Sequence, residues 1–137
     1  LKSMEPWYIG FIYFVFLLGA TTTKDFADID GDRAAGCITL PVRYGATWSA
    51  RAISPAFIAP WLLLPLGLYL RVLSGHATAI LALAVIMLAW GSYVIYLINQ
   101  DPHRLVTEGE NHPSWHHMYW MMMVGHLGLA GAYLLSH

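Results

Sequence analysis

Residues 6–33 read PWYIGFIYFVFLLGATTTKDFADIDGDR, so an apolar segment runs directly into a dense group of acids. The first 18 residues of this stretch contain no Asp, Glu, Lys or Arg. About 20 apolar residues, at a rise of roughly 1.5 Å each, are enough to cross a hydrocarbon core. The stretch therefore predicts a membrane-spanning helix whose end meets a polar, acidic connection.

Three further charge-free stretches follow this one, over residues 52–70, 72–100 and 111–137. Together they predict an all-α membrane protein with four transmembrane helices in a single domain over residues 1–137. The predicted helices cover residues 6–24, 48–70, 77–98 and 115–135, with a motif loop at 24–47. Three prolines in the second helix, Pro55, Pro60 and Pro65, predict that it is kinked, because each removes a backbone donor.

The composition supports this class and excludes others. The 137 residues are 58% hydrophobic and only 11% charged, whereas soluble chains carry about 25% charged residues. A net charge of −1 leaves no basic surface for nucleic acid. A single cysteine, Cys37, excludes an internal disulfide. We therefore expect a multi-pass integral membrane protein in contact with lipid, and no nucleic-acid partner.

The distribution of cations predicts which way the helices cross the bilayer. Four crossings put the connections at 24–51 and 101–110 on one side. That side holds five cations against two on the other, and Lys or Arg is enriched in cytoplasmic loops. The motif loop is therefore expected on the cytoplasmic side. The five are Lys24, Arg33, Arg43, Arg51 and Arg104, and the two are Lys2 and Arg71.

Four of the eight acidic residues lie within eight positions, and we call Asp25, Asp28, Asp30 and Asp32 the aspartate cluster. Two unit charges 4 Å apart repel by about 4 kcal/mol at an effective dielectric constant near 20. Such crowding at a membrane edge needs positive charge to offset it. In a continuous helix Asp25, Asp28 and Asp32 lie within about 60° of one face, while Asp30 points away. This stripe of oxygens predicts a site for a hard cation such as Mg²⁺.

The cations near the cluster are candidates for binding phosphate. Lys24 and Arg33 flank the acids and Arg43 follows ten residues later. Guanidinium and ammonium groups bind phosphate oxygens, and Mg²⁺ commonly bridges carboxylates to phosphate. The alternative interpretation is a solvated acidic loop whose aspartates cap helices.

Residues 24–45, KDFADIDGDRAAGCITLPVRYG, resemble the second aspartate-rich motif of the UbiA superfamily of intramembrane prenyltransferases. The resemblance covers about 22 contiguous residues. It is strongest to branches that prenylate homogentisate, chlorophyllide or archaeal glycerolipid precursors. It identifies the superfamily more specifically than the branch.

The resemblance implies a bundle of nine membrane helices around a central cavity, of which this chain would supply the last four. It implies Mg²⁺-dependent transfer of a polyprenyl group from its diphosphate to an aromatic, tetrapyrrole or glycerolipid acceptor. Asp25, Asp28 and Asp32 would be the catalytic magnesium ligands, and Lys24 and Arg33 would contact the diphosphate. The partners would be a polyprenyl diphosphate and a lipophilic acceptor.

The chain departs from the family pattern in one respect. The first aspartate-rich motif of the family, Asn-Asp-x-x-Asp-x-x-x-Asp, is absent from these residues, as is the sequence for five further helices. We therefore expect an N-terminal half carrying that motif as a partner, and no activity from this chain alone. Two alternatives are a CDP-alcohol phosphotransferase, faintly echoed by residues 30–34, and a non-catalytic membrane subunit.

Overall fold

The computed structural model describes residues 4–136, and every regular element in them is helical. The all-α prediction is therefore confirmed. Lys2, one of the cations used above to orient the chain, lies outside the described residues. The α-helices are α1 (Glu5–Ala27), α2 (Ile29–Ala35), α3 (Leu40–Tyr44), α4 (Ala46–Ile53), α5 (Ala59–Tyr69), α6 (Ala77–Gln100), α7 (Pro102–Glu108) and α8 (Pro113–Leu134).

Helix α1 extends past the predicted end of its apolar stretch and carries the first acid of the cluster. It begins at Glu5, with Pro6 in its first turn, where a missing N–H costs nothing. The residues that it buries recur every three or four positions and so form one stripe. This stripe packs on α5 and on the segment before it. The buried residues of α1 are Ile12, Phe16, Gly19, Thr23 and Phe26.

The second span is broken near Pro55, whereas Pro65 lies inside the continuous helix α5. Helix α4 passes into a 3₁₀ turn at Ser54–Phe57, and α5 starts only at Ala59. Pro55 lies in this turn, so the backbone cannot continue its α-helical hydrogen bonds there. The side-chain amide of Asn99 donates to Ser54 Oγ at 2.9 Å, which ties α6 to the break. The broken geometry agrees with the sequence prediction of a kink.

Among residues 4–136, three helical segments, not four, are long and apolar enough to cross a membrane by length and composition: Glu5–Ala27, Ala46–Tyr69 and Ala77–Gln100. The prediction of a fourth crossing at 115–135 is wrong on this measure. Helix α8 has 22 residues, but His116, His117 and His126 lower its mean hydropathy. It still packs along α6, where the Trp90 indole N–H donates to His117 Nδ1 at 3.0 Å.

The segment predicted as a motif loop at 24–47 is mostly folded into short helices. Helix α2 ends at Gly36, which adopts a left-handed conformation with φ of 75°. Helix α3 then leads through Gly45, with φ of 79°, into α4. A residue without Cβ is favoured at both turns because positive φ is strained for other residues. The connection is therefore a structured platform at one end of the helices.

At the opposite end of the helices, the carboxylate of Glu5 joins three parts of the chain by hydrogen bonds. Glu5 at the start of α1 accepts hydrogen bonds from the Ser74 backbone N–H at 2.6 Å and from Ser74 Oγ at 3.0 Å. The Tyr133 hydroxyl near the end of α8 donates to the same carboxylate. We call Glu5, Ser74 and Tyr133 the carboxylate clasp. It joins the start of α1, the turn before α6 and the end of α8.

Candidate functional site

The aspartate cluster lies where α1 gives way to α2. Asp25 is in the last turn of α1, Asp28 lies between the helices with φ of −119° and ψ of 24°, and Asp32 is in α2. The Asp32 N–H donates to the Asp28 carbonyl at 2.8 Å, so only one residue departs from helical geometry. The three-residue face predicted for a continuous helix is thus interrupted at its middle member.

A glycine allows the Asp28 side chain to take its position. A Cβ at residue 31 would lie 3.0 Å from Asp28 Cγ and would overlap a carboxylate oxygen of the same residue. The Asp28 carboxylate therefore folds over the backbone of Gly31. Gly31 acts here by leaving space, and its backbone is helical.

The acids and cations of this region are mostly not neutralised by one another. Asp25 and Asp32 are half-buried, whereas Asp28 is exposed. The negative charge of Asp32 acts on the carboxylate of Asp25, so these two predicted ligands repel one another. Repulsion of this kind favours a ligand that brings positive charge between them.

Arg33 forms an ion pair with Asp30, the acid that points away from the predicted stripe. Their closest atoms, Arg33 Nη1 and Asp30 Oδ1, are 3.5 Å apart, and the side chains are 64% and 99% exposed. An exposed pair of this kind contributes at most about 1 kcal/mol, so Arg33 can exchange it for a phosphate. Lys24 is exposed, and the exposed Arg43 guanidinium lies 5.4 Å from the ring centre of Tyr44.

Within residues 4–136, no group of three His, Cys, Asp or Glu side chains converges to hold a metal ion. Asp25, Asp28 and Asp32 do not by themselves form a complete metal site. Mg²⁺ is commonly held by one or two carboxylates together with phosphate oxygens rather than by an all-protein cage. The oxygen donors of Asp25 and Asp32 fit that chemistry, and the magnesium assignments stay predictions.

An apolar groove leads away from the cluster between α1 and α8. It has a volume of about 210 Å³, and Lys24 is the charged residue in its lining. Among the methionines of α8, Met121 is fully buried in the helix packing. The groove is lined by Phe16, Leu17, Ala20, Thr21, Lys24, Trp115, Met118, Tyr119 and Met122.

Sequence reasoning missed the contribution of the segment between α6 and α8. Helix α7 packs on α1, and Gly109, with φ of 53°, approaches the end of α1 so closely that a Cβ there would lie 3.3 Å from Ala27 Cβ. His112 caps the start of α8 and is buried, and its Nδ1 lies 2.8 Å from Ser114 Oγ. Burial lowers the pKa of His112, so the neutral ring is favoured.

Comparisons with known proteins identify the family to which the sequence is similar. The sequence model described as the UbiA prenyltransferase family matches residues 2–107. A digeranylgeranylglyceryl phosphate synthase from Methanobrevibacter smithii is 28% identical over 97 residues. That alignment covers 71% of this chain but 34% of the synthase, so the chain spans about a third of this relative's length. No solved structure matches the chain.

Proposed function

This chain belongs to the UbiA prenyltransferase family, and on that premise we propose that it binds the diphosphate of a polyprenyl donor for transfer within the membrane. The acceptor would be an aromatic, tetrapyrrole or glycerolipid molecule. Because the archaeal relative is a digeranylgeranylglyceryl phosphate synthase, glycerolipid acceptors would be assayed first. The family match counts against the alternative of a CDP-alcohol phosphotransferase.

The observation that carries this proposal is the position of Lys24. It lines the apolar groove between α1 and α8 and is followed directly by Asp25. A ligand that fits both features has an apolar tail and an anionic head that binds cations. A polyprenyl diphosphate has this chemistry.

The reaction requires the bond between the allylic carbon and the diphosphate oxygen to break, with the electron pair leaving on the diphosphate. An acceptor atom then bonds to that carbon and a proton leaves the acceptor. Lys24 and Arg33 would stabilise the charge that develops on the leaving group, since fixed cations lower such a barrier. The apolar groove would exclude water, which otherwise competes as acceptor.

Magnesium, when bound by Asp25, Asp28 and Asp32 with the diphosphate oxygens, would supply charge neutralisation of the leaving group. We further propose that a segment carrying the first aspartate-rich motif completes the site. The cytoplasmic orientation of the platform belongs to the same proposal. The cation bias and the family's use of cytoplasmic-side loops support this part of the proposal.

The test compares two acids of the same cluster in the protein expressed with its complete natural reading frame. Asp32→Asn should reduce prenyl transfer by about 100-fold, the usual effect of removing one group that stabilises developing charge. The matched control is Asp30→Asn, because Asp30 is exposed and points away from the stripe. Membranes would be assayed with labelled polyprenyl diphosphates and a panel of the three acceptor classes, with and without a magnesium chelator. Undiminished transfer by Asp32→Asn, or equal loss in both variants, would contradict the proposal.

A further inference from the structure

Two aromatic rings stack across the seam between α1 and α8. The rings of Tyr13 and His126 have centroids 3.8 Å apart and planes only 16° apart. The His126 ring is oriented by its own helix, because its Nδ1–H donates to the Met122 carbonyl at 2.7 Å. We call Tyr13 and His126 the ring pair.

The ring pair separates two hollows along this seam. On one side is the groove that contains Lys24, whose lining ends at Phe16 on α1 and Met122 on α8. Residues three or four apart are neighbours on a helix face, so the ring pair lies one turn beyond both ends. On its other side is a hollow of about 230 Å³, lined by Ile9, Tyr13, His126, Leu129, Ala130 and Tyr133.

The position of Tyr13 depends on a glycine in α8. A Cβ at Gly125 would lie 3.3 Å from Tyr13 Oη and 3.3 Å from Trp61 Cη2, tighter than ordinary packing. Tyr13 also meets Trp61 edge-on, with centroids 6.2 Å apart and planes at 80°. The tyrosine ring is therefore wedged between the buried Trp61 and the His126 ring, and it cannot swing aside without losing packing.

We propose that the ring pair is a barrier that limits the length of prenyl tail accepted by the groove. The proposal rests on the proposed function and names a specificity determinant of the same site. The groove from Lys24 to Phe16 covers about 12 Å at a rise of 1.5 Å per residue, whereas continuing to Ile9 would extend it to about 22 Å. Removing one ring joins the two hollows, and a longer tail then fits.

The experiment measures chain-length preference in the complete protein. The values of kcat/KM would be determined for geranyl, farnesyl, geranylgeranyl and longer polyprenyl diphosphates. Tyr13→Ala and His126→Ala should each raise the ratio of geranylgeranyl to farnesyl transfer by about tenfold, since apolar pockets discriminate by at least that much per added group. Tyr13→Phe keeps the ring and should keep the wild-type ratio.

The matched control is Tyr96→Ala. Tyr96 also stacks on another ring, that of Tyr93, with centroids 6.4 Å apart, but it is exposed and lines neither hollow. The Tyr96→Ala variant should keep the ratio of geranylgeranyl to farnesyl transfer within about twofold of wild type, because Tyr96 lines neither hollow. A second readout is the gain in thermal unfolding temperature with non-hydrolysable farnesyl and geranylgeranyl diphosphate analogues. The longer analogue should gain more in the two alanine variants.

The outcomes separate the two proposals. If the wild-type protein transfers no prenyl group from any diphosphate, the proposed function fails. If it is active and both alanine variants keep the wild-type chain-length ratio, the barrier is overturned and the proposed function stands. Where Tyr13→Ala does not fold, His126→Ala on the exposed side of the pair decides the question.

Discussion

Acidic residues at the two ends of the helices differ in how far the fold satisfies their charge. At the clasp end, Glu5 accepts hydrogen bonds from Ser74 and Tyr133, so its charge is satisfied by the fold. At the platform end, Asp30 of the aspartate cluster forms an ion pair with Arg33. Both side chains of this pair are exposed to solvent. The first arrangement stabilises the protein. The second leaves charge available for a ligand.

The two arrangements differ in how much they contribute to the free energy of unfolding. A hydrogen bond to a charged group contributes about 1.5–3 kcal/mol to stability, whereas an exposed ion pair contributes about 0–1 kcal/mol. We therefore expect substitutions at the clasp to change unfolding and substitutions in the aspartate cluster to change activity. Each experiment below can contradict this expectation.

The largest effect is expected from Asp25→Asn combined with Asp32→Asn. Prenyl transfer should fall by at least about 100-fold, or about 2.7 kcal/mol of barrier. The unfolding temperature in detergent should hold or rise, because the two carboxylates repel one another. A large drop in that temperature would show that the acids serve the fold.

The clasp should give the reverse result. Glu5→Ala should lower the free energy of unfolding by about 2 kcal/mol, since Ser74 and Tyr133 lose a charged acceptor. Tyr133→Phe removes one of the hydrogen bonds and should cost about 1 kcal/mol. Denaturant unfolding in mixed micelles measures both. Transfer activity per folded molecule should match wild type. A loss of activity without a loss of stability would contradict a purely structural role for the clasp.

Gly31→Ala tests how the Asp28 carboxylate is positioned. The added methyl would displace that carboxylate, so transfer should fall by about tenfold, equivalent to about 1.4 kcal/mol. Stability should not fall, because alanine is favoured over glycine in a helix. The matched control is Gly10→Ala in α1, where a Cβ would meet nothing within 4 Å. Equal kinetics for the two variants would contradict this role.

The smallest effect concerns His112, a buried polar group that serves the fold at the platform end. Its pKa is lowered by burial, so the unfolded chain binds the proton more tightly than the folded one. Its contribution to stability is therefore constant above about pH 6.5, the ordinary pKa of histidine. It is lost as the pH falls below that value, with a slope of at most about 1.4 kcal/mol per pH unit.

His112→Asn should flatten this acid-side slope while still capping α8, because asparagine is a favoured residue at helix starts. Unfolding would be measured from pH 7.5 to 5. An unchanged slope in the variant would show that another group carries the pH dependence.

The sequence predicts the parts of the fold that depend on local pattern. Charge-free stretches predict α1 and α6, and Pro55 predicts the break in the second span, because both rest on properties of neighbouring residues. The absence of charge predicts a fourth crossing at 115–135, and this prediction is wrong because residues such as His116 and His117 make α8 too polar. The spacing of the acids predicts the aspartate cluster, but it does not predict the irregular backbone at Asp28.

Contacts between distant residues could not be predicted in the same way. Tyr13 and His126 stack although more than a hundred residues separate them, and nothing local in either segment indicates the partner. The clasp is similar, since Glu5 and Tyr133 lie near opposite ends of the chain. Such contacts depend on how helices are arranged in three dimensions.

The break at Ser54–Phe57 has a mechanical consequence. Helix α4, before the break, packs against α3 and α7 and also touches α1 and α6, whereas α5, beyond it, packs mainly against α1 and α6. A rigid span would transmit any displacement of the platform into the apolar interior. Because Pro55 interrupts the α-helical hydrogen bonds between α4 and α5, a small displacement of α4 by a highly charged ligand would disturb the packing of α5 less than in a continuous helix.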